Sequence, residues 1–492
     1  MLYIGIDLGT SAVKLILMDE KGHIHNVVSR EYPIDYPRPG WSEQNPEDWL
    51  QETLAGIQQL TQDCDKAQIA GIGAGGQMHG LVALDKNDRV LRPAILWNDG
   101  RTSEETAWLN EVIGREKLSA YTANIAFAGF TAPKLLWMKS HEPKLFSQID
   151  KIMLPKDYIN YKLTGVHCTD YSDASGMLLL DVKNKCWSSE MLALCGVAES
   201  WMPHLYNSYE TVGTLTAPMA DLLGLPRTVK VAAGAGDNAA AAVGTGAVGA
   251  GHCNISIGTS GTIFISNDQF GVDPHNAMHS FAHADGGYHL MGCILSAASC
   301  NTWWQNAIIG TSDYKGEEAK IPKELLGNNS VYFLPYLMGE RSPHNDAGAR
   351  AAFLGMTMDT TRPAMTLAML EGVAFAMRDS LEVARSLGVA PARSTICGGG
   401  AKSALWREIF ANVLNMELDS VETEEGPGYG GAMLAAVACG QFETVAQAAR
   451  QLVRVKATTT PTPALAEQYE ARYQVFHQLY PALKPLFPVM TV

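Results

Sequence analysis

The chemistry this 492-residue chain can do centres on one carboxylate, Asp237, in the stretch 232–246, AAGAGDNAAAAVGTG. An apolar run from Thr228 to Ala233 precedes it, and an alanine-rich segment follows. The pattern predicts a buried strand that stops at a small-residue turn, delivers a carboxylate at its end and continues into a helix. Catalytic groups favour such strand ends in α/β proteins. Asp237 there serves either as a general base or as the cap of the following helix.

Two further turns offer sites for phosphate. Residues 2–18, LYIGIDLGTSAVKLILM, read as two strands joined at Asp7-Leu8-Gly9-Thr10-Ser11. Glycine allows close backbone approach to an anion, and the amides and hydroxyls of such a turn donate to phosphate. Asp7 is placed to hold Mg²⁺, directly or through water. Alone, the stretch also fits a plain tight hairpin. Residues 254–265, NISIGTSGTIFI, repeat it with Gly258-Thr259-Ser260-Gly261, half a chain away. Two strand–GTS–strand units at that separation predict a duplicated architecture, one phosphate turn per lobe, with a cleft between. Ser256 stands in the second copy where Asp7 stands in the first, so only the first lobe carries the metal carboxylate.

Other stretches supply groups suited to a polyol or a nucleotide. Residues 69–85 contain a formal G-x-G-x-x-G at Gly71, Gly73 and Gly76, but a strand-like run follows where a dinucleotide fold needs a helix. The stretch instead predicts strand, loop, strand, with Gln77, Met78 and His79 on the loop. His79 there is a partner for a sugar hydroxyl or an ordinary surface histidine. In AILWNDGR (94–101), Trp97 beside amide, acid and guanidinium groups suits a sugar, whose apolar face stacks while its hydroxyls bond. The plainer alternative is a structural Asp99–Arg101 pair. Gly398-Gly399-Gly400 before a helix (395–414) allow approach of a nucleotide, or make a tight turn. Residues 424–438 repeat the theme, a glycine-rich turn and then a small-residue helix. Glu340 and Arg341 either line the cleft or pair with each other. HSFAH (279–283) has the i, i+4 histidine spacing of a helical metal site but no H-E-x-x-H glutamate, so no metal is expected there. Residues 154–176 read as helix and polar loop without independent chemistry.

The elements that must hold these groups are legible at several points. Pro46 followed by Glu47 and Asp48 starts a helix over 41–60. A second helix opens at Pro133, a third spans 362–387 with Leu367, Leu370, Val373, Ala374 and Met377 on one face, and amphipathic helices from about 445 finish the second lobe. The length predicts two or more core-bearing domains. A net charge of −14 opposes a nucleic-acid partner. Nine scattered cysteines without a C-x-x-C pair suggest a reducing, cytoplasmic setting, with no zinc or redox motif. Asp7 and Lys14 interrupt the apolar N-terminus, so neither a signal peptide nor a membrane span is expected.

Taken in order, twelve stretches resemble the FGGY family of carbohydrate kinases, within the actin/hexokinase-like superfamily, across almost the whole chain. They are IGIDLGTSAVK, WSEQNPEDW, GQMHG, AILWNDGR, GFTAPKLLW, LPKDY, GAGDNAAAAVG, SIGTSGT, FLPYLMGER, LEGVAFAMRD, CGGGAKSALWREI and GPGYGGAMLAA. Gln77-Met78-His79-Gly80 is similar to the bacterial branch that phosphorylates D-xylulose. Glycerol kinases of the family carry an Arg-Glu pair there. The resemblance implies an α/β fold of two ribonuclease-H-like domains flanking a cleft, residues 1–245 for sugar and 246–492 for ATP. It implies Asp237 as proton acceptor, with Met78, His79, Trp97 and Asn238 as sugar contacts. It implies Asp7 as the Mg²⁺-associated acid, Thr10, Gly258 and Thr259 at the phosphates, and Gly400, Ala401 and Ala404 on the adenosine side. The reaction implied is ATP-dependent phosphorylation of D-xylulose to D-xylulose 5-phosphate, with lobe closure excluding water. Other members act on L-ribulose, L-fuculose, gluconate or glycerol, and non-kinase relatives include actin- and chaperone-like ATPases and sugar-sensing regulators. No helix-turn-helix or peptide-binding segment favours the non-kinase readings. The partners expected are a small-molecule sugar and, at most, a second copy as a homodimer. The family's second signature has an acidic or amide residue where Ala364 stands, a departure bearing on a helix cap rather than on the reaction.

Overall fold

The computed structural model describes residues 1–423 and 425–490. In the first half the elements that matter are β1 (Leu2–Leu8), β2 (Ala12–Asp19), β3 (Ile24–Glu31), α1 (Pro46–Leu60), β4 (Ile69–Gly76), α2 (Thr131–His141), α3 (Pro155–Thr164), β5 (Thr211–Thr214), β6 (Lys230–Ala232), β7 (Ala235–Gly236) and α4 (Asp237–Thr245). In the second they are β8 (Cys253–Ile257), β9 (Gly261–Asn267), β10 (His279–Ala282), β11 (Tyr288–Ile294), α5 (Arg362–Ser386), β12 (Arg393–Cys397), α6 (Ala404–Leu414), β13 (Glu417–Val421), α7 (Gly426–Ala438), α8 (Val445–Leu452), β14 (Val455–Thr459) and α9 (Pro463–Leu483).

The two main sheets share one topology. The first runs β5-β6-β4-β1-β2-β3, with β7 continuing beside β4, and the second runs β10-β11-β9-β8-β12-β13-β14. Each holds an antiparallel trio, β1-β2-β3 or β8-β9-β11. Each adds two strands in parallel, β4 then β6 or β12 then β13, and closes with an antiparallel edge, β5 or β14. The expected duplication is therefore present in strand order, and the two GTS turns are the equivalent β1–β2 and β8–β9 connections.

Local chemistry accounts for the helix boundaries. In α1 the Asn45 side chain caps the helix by accepting the Glu47 amide at 3.2 Å, and Pro46 takes the first position, where no amide is needed. Helix α2 begins at Thr131, two residues before the expected proline. In α5 the Thr361 hydroxyl accepts the Ala364 amide at 3.3 Å, so the cap survives the departure at Ala364.

One apolar core lies between the first sheet and α1, with Leu15, Trp49, Ile57 and Ile72. Another surrounds α5, α6 and α9, with Val373, Phe410 and Tyr469. A third joins the halves, combining α2, α4, α7 and α8 with Phe264, Phe281 and Met291 of the second sheet. The glycines of 424–438 explain this joining, and they are not a turn. From Gly426 they lie inside α7, while Glu424 falls outside the described residues. A methyl group on Gly430 would sit 1.9 Å from the Ala240 carbonyl oxygen, and one on Gly73 would sit 2.1 Å from that of Gly431. Bare backbone thus lets α7 cross α4 and rest directly on the first sheet. The tail also departs from its expected course. The apolar face of α8 enters the joining core, and β14 is a strand. Among the described residues no helix is long and apolar enough to cross a membrane.

Candidate active site

Both GTS turns have carbonyls tied back; in the first the Gly9 amide is also spent, on the Ala12 carbonyl at 3.0 Å. In the first, the Gly9 carbonyl accepts the Tyr32 hydroxyl at 2.5 Å and the Gln77 amide at 3.3 Å, and the Thr10 carbonyl accepts Gln44 Nε2 at 2.7 Å. Gln44 is itself held by Trp49, so WSEQNPEDW serves as the scaffold of the turn. In the second, the Gly258 carbonyl accepts the Ala298 amide and the Thr259 carbonyl accepts the Ala297 and Ser299 amides. Among the described residues the Thr10, Ser11, Thr259 and Ser260 amides donate to no protein acceptor. Two sets of unclaimed donors in small-residue turns suit an oligophosphate.

Asp7 is the seventh residue of the chain and lies near the end of β1, opposite Lys14 of β2. Burial pushes its carboxyl up to about 6, with Lys14 opposing and Glu425 adding to the shift. Lys14 and Glu425 pair at 3.0 Å, and Gly428 at the start of α7 lies against the Asp7 side chain. Asp237 opens α4, with Gly236 rather than Asp237 at the cap position. Its Oδ1 accepts the Asn238 amide at 2.7 Å and Asn238 Nδ2 at 3.1 Å. Burial, then the charge of Asp7, pushes Asp237 up to about 7 against that hydrogen bond. Two cleft carboxyls held above their ordinary range fit a site that receives a divalent cation, with Asp7 the acid free to ligate it.

The GQMHG loop carries two of the side chains expected to contact a sugar, Met78 and His79. Met78 is buried, with its sulfur 4.0 Å from Asn238 Nδ2. His79 has a left-handed backbone, φ 71°, stabilised where Thr131 Oγ1 and Lys134 Nζ donate to its carbonyl at 3.0 and 2.8 Å. Its Nδ1 lies 2.7 Å from the Gly176 carbonyl. A carbonyl only accepts, so Nδ1 carries the proton and Nε2 is left as an acceptor. Burial, then the Lys134 charge, pushes the ring down to about 3, which keeps it neutral.

The other predicted groups divide. Trp97 is 49% exposed, and its indole N–H donates to Thr10 Oγ1 at 2.9 Å. Asp99 and Arg101 are structural: Arg101, its side chain buried, forks onto Asp99 at 2.9 and 2.7 Å, pairs with Glu43 at 2.6 Å and stacks on the half-buried Trp41. Gly400 and Ala401 are buried in a short 3₁₀ turn, whereas Gly398, Gly399 and Ala404 are exposed. Ser403, not a glycine, caps α6. HSFAH is strand β10 and its end; His279 and His283 are buried among Phe264, Phe281 and His289, and no metal-ligand cluster occurs among the described residues. Glu340 and Arg341 do not pair; Glu340 accepts the Leu295 and Arg341 amides at 2.9 and 2.8 Å.

A polar cluster behind Asp237 escaped the sequence reading. Lys156 Nζ is fully buried, 2.6 Å from Asp157, 2.9 Å from Asp170 and 3.5 Å from Asp173. With one cation among three acids, burial holds Asp173 well above the carboxylate range. Asp170 Oδ2 accepts the Ser172 and Ser208 hydroxyls, and Ser172 Oγ accepts the Gly236 amide at 3.2 Å. This chain of bonds ends on the residue before Asp237 and fixes its approach. The stretch LPKDY was its one sequence trace.

Comparison with known proteins places this geometry. The FGGY family of carbohydrate kinases, N-terminal domain, matches residues 2–244, and its C-terminal domain matches 253–439. The xylulose kinase of Escherichia coli (strain K12) is 40% identical over 487 residues, 99% of this chain and 100% of its own. The crystal structure of a "xyloylose kinase" from Brucella ovis is 41% identical with a TM-score of 0.93, covering 99% of this chain and 100% of that one. A gluconate kinase from Lactobacillus acidophilus also reaches a TM-score of 0.93, at 26% identity and with both chains fully covered. Since the same frame carries two substrate names, the frame alone does not select the sugar.

Proposed function

Because the chain belongs to the FGGY family of carbohydrate kinases, we propose that it transfers the γ-phosphoryl group of ATP to the terminal hydroxyl of D-xylulose, giving D-xylulose 5-phosphate and ADP. Full-length likeness to the Escherichia coli xylulose kinase, at 40% identity, carries the choice of sugar. The first lobe, residues 1–245, holds the sugar and the second, 246–492, holds the nucleotide, with α7 returning to wall Asp7.

In this reading Met78, His79, Trp97 and Asn238 bound the sugar. His79 Nε2 accepts a hydrogen bond from a sugar hydroxyl and Trp97 offers its face. The free amides at Thr10 and Thr259, with Gly258 beside the latter, hold the phosphates, and the turn at Gly400 and Ala401, with Ala404 beyond it, lies on the adenosine side. Asp7 would hold Mg²⁺, whose contribution is to neutralise phosphate charge. Asp237 accepts the proton of the terminal hydroxyl while that oxygen forms its bond to the γ-phosphorus and the bond to the ADP oxygen breaks. A carboxylate is a weak base for an alcohol, so the proton moves late. A pKa raised by burial narrows the mismatch. Closure of the lobes on the sugar keeps water from competing.

A panel of D-xylulose, L-ribulose, L-fuculose, gluconate and glycerol in a coupled ADP-release assay tests this. The expected result is the highest kcat/KM on D-xylulose. A higher value on another sugar overturns the choice of substrate, and ADP release that no sugar stimulates overturns the kinase reading.

A further inference from the structure

Arg341 stands on a loop fixed to the second sheet. Glu340 and Asp346 exchange backbone hydrogen bonds at 2.9 and 2.8 Å, Ser342 donates its amide to the Cys293 carbonyl at 2.9 Å, and Glu340 takes the Leu295 amide at 2.9 Å. The adjacent Glu340 carboxylate is thus occupied by backbone amides. Among the described residues the Arg341 guanidinium has no hydrogen-bond acceptor and no carboxylate partner. It lies 4.8 Å over the ring of Phe127, which belongs to the first half. Phe127 packs 5.4 Å from Phe130, and Phe130 lies 4.7 Å from the His79 ring. Arg341 and His79 therefore flank the same pair of aromatic rings, one from each half of the chain. The Arg341 charge also helps to keep His79 neutral.

We infer that Arg341 is a specificity-determining sugar contact supplied by the second half, and that it donates to the carbonyl oxygen of a 2-ketose. The inference rests on the sugar-kinase reading above. Its chemical basis is complementarity. His79 Nε2 accepts and cannot donate, whereas a guanidinium donates and cannot accept. A hydroxyketone end offers the matching pair, a hydroxyl proton for His79 and a carbonyl oxygen for Arg341. An alditol offers only hydroxyls, and its oxygen at that position carries a proton the site does not need. The hydroxyl oxygen of the alditol can still accept from Arg341, but its extra proton faces a donor-only guanidinium and is left without an acceptor, which penalises the alditol. A sugar held by His79 and Arg341 together would also join the two halves across the cleft.

The test uses the full-length enzyme with ATP, comparing D-xylulose with xylitol and D-arabinitol in wild type, Arg341→Met and Arg341→Lys. Arg341→Met should lower kcat/KM for D-xylulose about ten-fold or more, mainly through the sugar KM, in keeping with loss of a charged hydrogen bond. KM for ATP and kcat/KM for the alditols should stay within about two-fold, so the preference for the ketose collapses. Arg341→Lys, which keeps the charge, should recover part of it. Equal losses on ketose and alditols, or no loss on either, overturn the assignment. If the wild type ignores D-xylulose but accepts another 2-ketose, the substrate choice fails, while the same ratio on that ketose and its alditol still decides Arg341.

Discussion

The indole N–H of Trp97 is bonded to the Thr10 hydroxyl at 2.9 Å, fastening a half-exposed aromatic to the first GTS turn. Trp97→Phe keeps a flat ring and removes the donor. One hydrogen bond is worth about 0.5–1.5 kcal/mol, so KM for ATP should rise about two- to ten-fold. KM for the sugar should change less. Steady-state kinetics with each substrate varied in turn checks this, and a change confined to the sugar would detach Trp97 from the turn.

Asp237 carries a stability cost. Burial, then the Asp7 charge, holds its native carboxyl up at about 7, against an ordinary aspartate value near 3.8. Between those values the unfolded chain gives up its proton while the native one keeps it, so stability falls as pH rises and levels off above about 7. The full cost approaches about 4 kcal/mol, less whatever solvent in the cleft screens. Asp237→Asn should lose roughly 10²–10⁴ in kcat and yet unfold at a higher temperature than wild type. Thermal scans should show that margin widening from mildly acidic to mildly alkaline buffer, and a variant less stable than wild type in alkaline buffer would contradict the assignment.

The base must be ionised to act, so kcat/KM should rise with pH up to about 7 and then level. Asp7 supplies the like charge that adds to the shift. Asp7→Asn should lower overall activity and move the acid limb of the remaining profile to lower pH. A pH–rate series on both proteins decides the sign, and an upward move would rule out the coupling.

Gly430 has no room for a side chain, since a methyl there would meet the Ala240 carbonyl oxygen at 1.9 Å. Both partners are helix backbone and cannot step aside. Gly430→Val should cost at least about 3 kcal/mol or prevent folding. Denaturant unfolding measures it, with Gly399→Ala, which meets nothing, as the comparison.

What the sequence made legible was local. The GTS turns, the strand ending at Asp237 and the start of α1 are written in neighbouring residues, and strand order confirms the duplication. What it hid was tertiary. The acids around Lys156 come from α3 and from the segment at Asp170–Asp173, and no spacing brings them together. In HSFAH the i, i+4 spacing suits a helix face, but a strand repeats every two residues, so His279 and Phe281 share one face of β10 and His283 follows just past its end. The glycines of α7 read as a turn because glycine is locally a breaker, whereas here they permit backbone to rest on backbone. The Asp99–Arg101 pair takes the plainer of its two sequence readings, polar groups that the fold uses for itself.

The seat of α7 on the first sheet sets a schedule for the newborn chain. The last strand of that sheet is complete at Gly236, but the helix that covers β1 and β4 starts at Gly426. At about 5–20 residues per second, roughly 10–40 s of synthesis separate them. During that time the first sheet stands at the ribosome exit without the helix that covers β1 and β4, and an uncovered sheet face is the kind of surface that favours association between nascent chains.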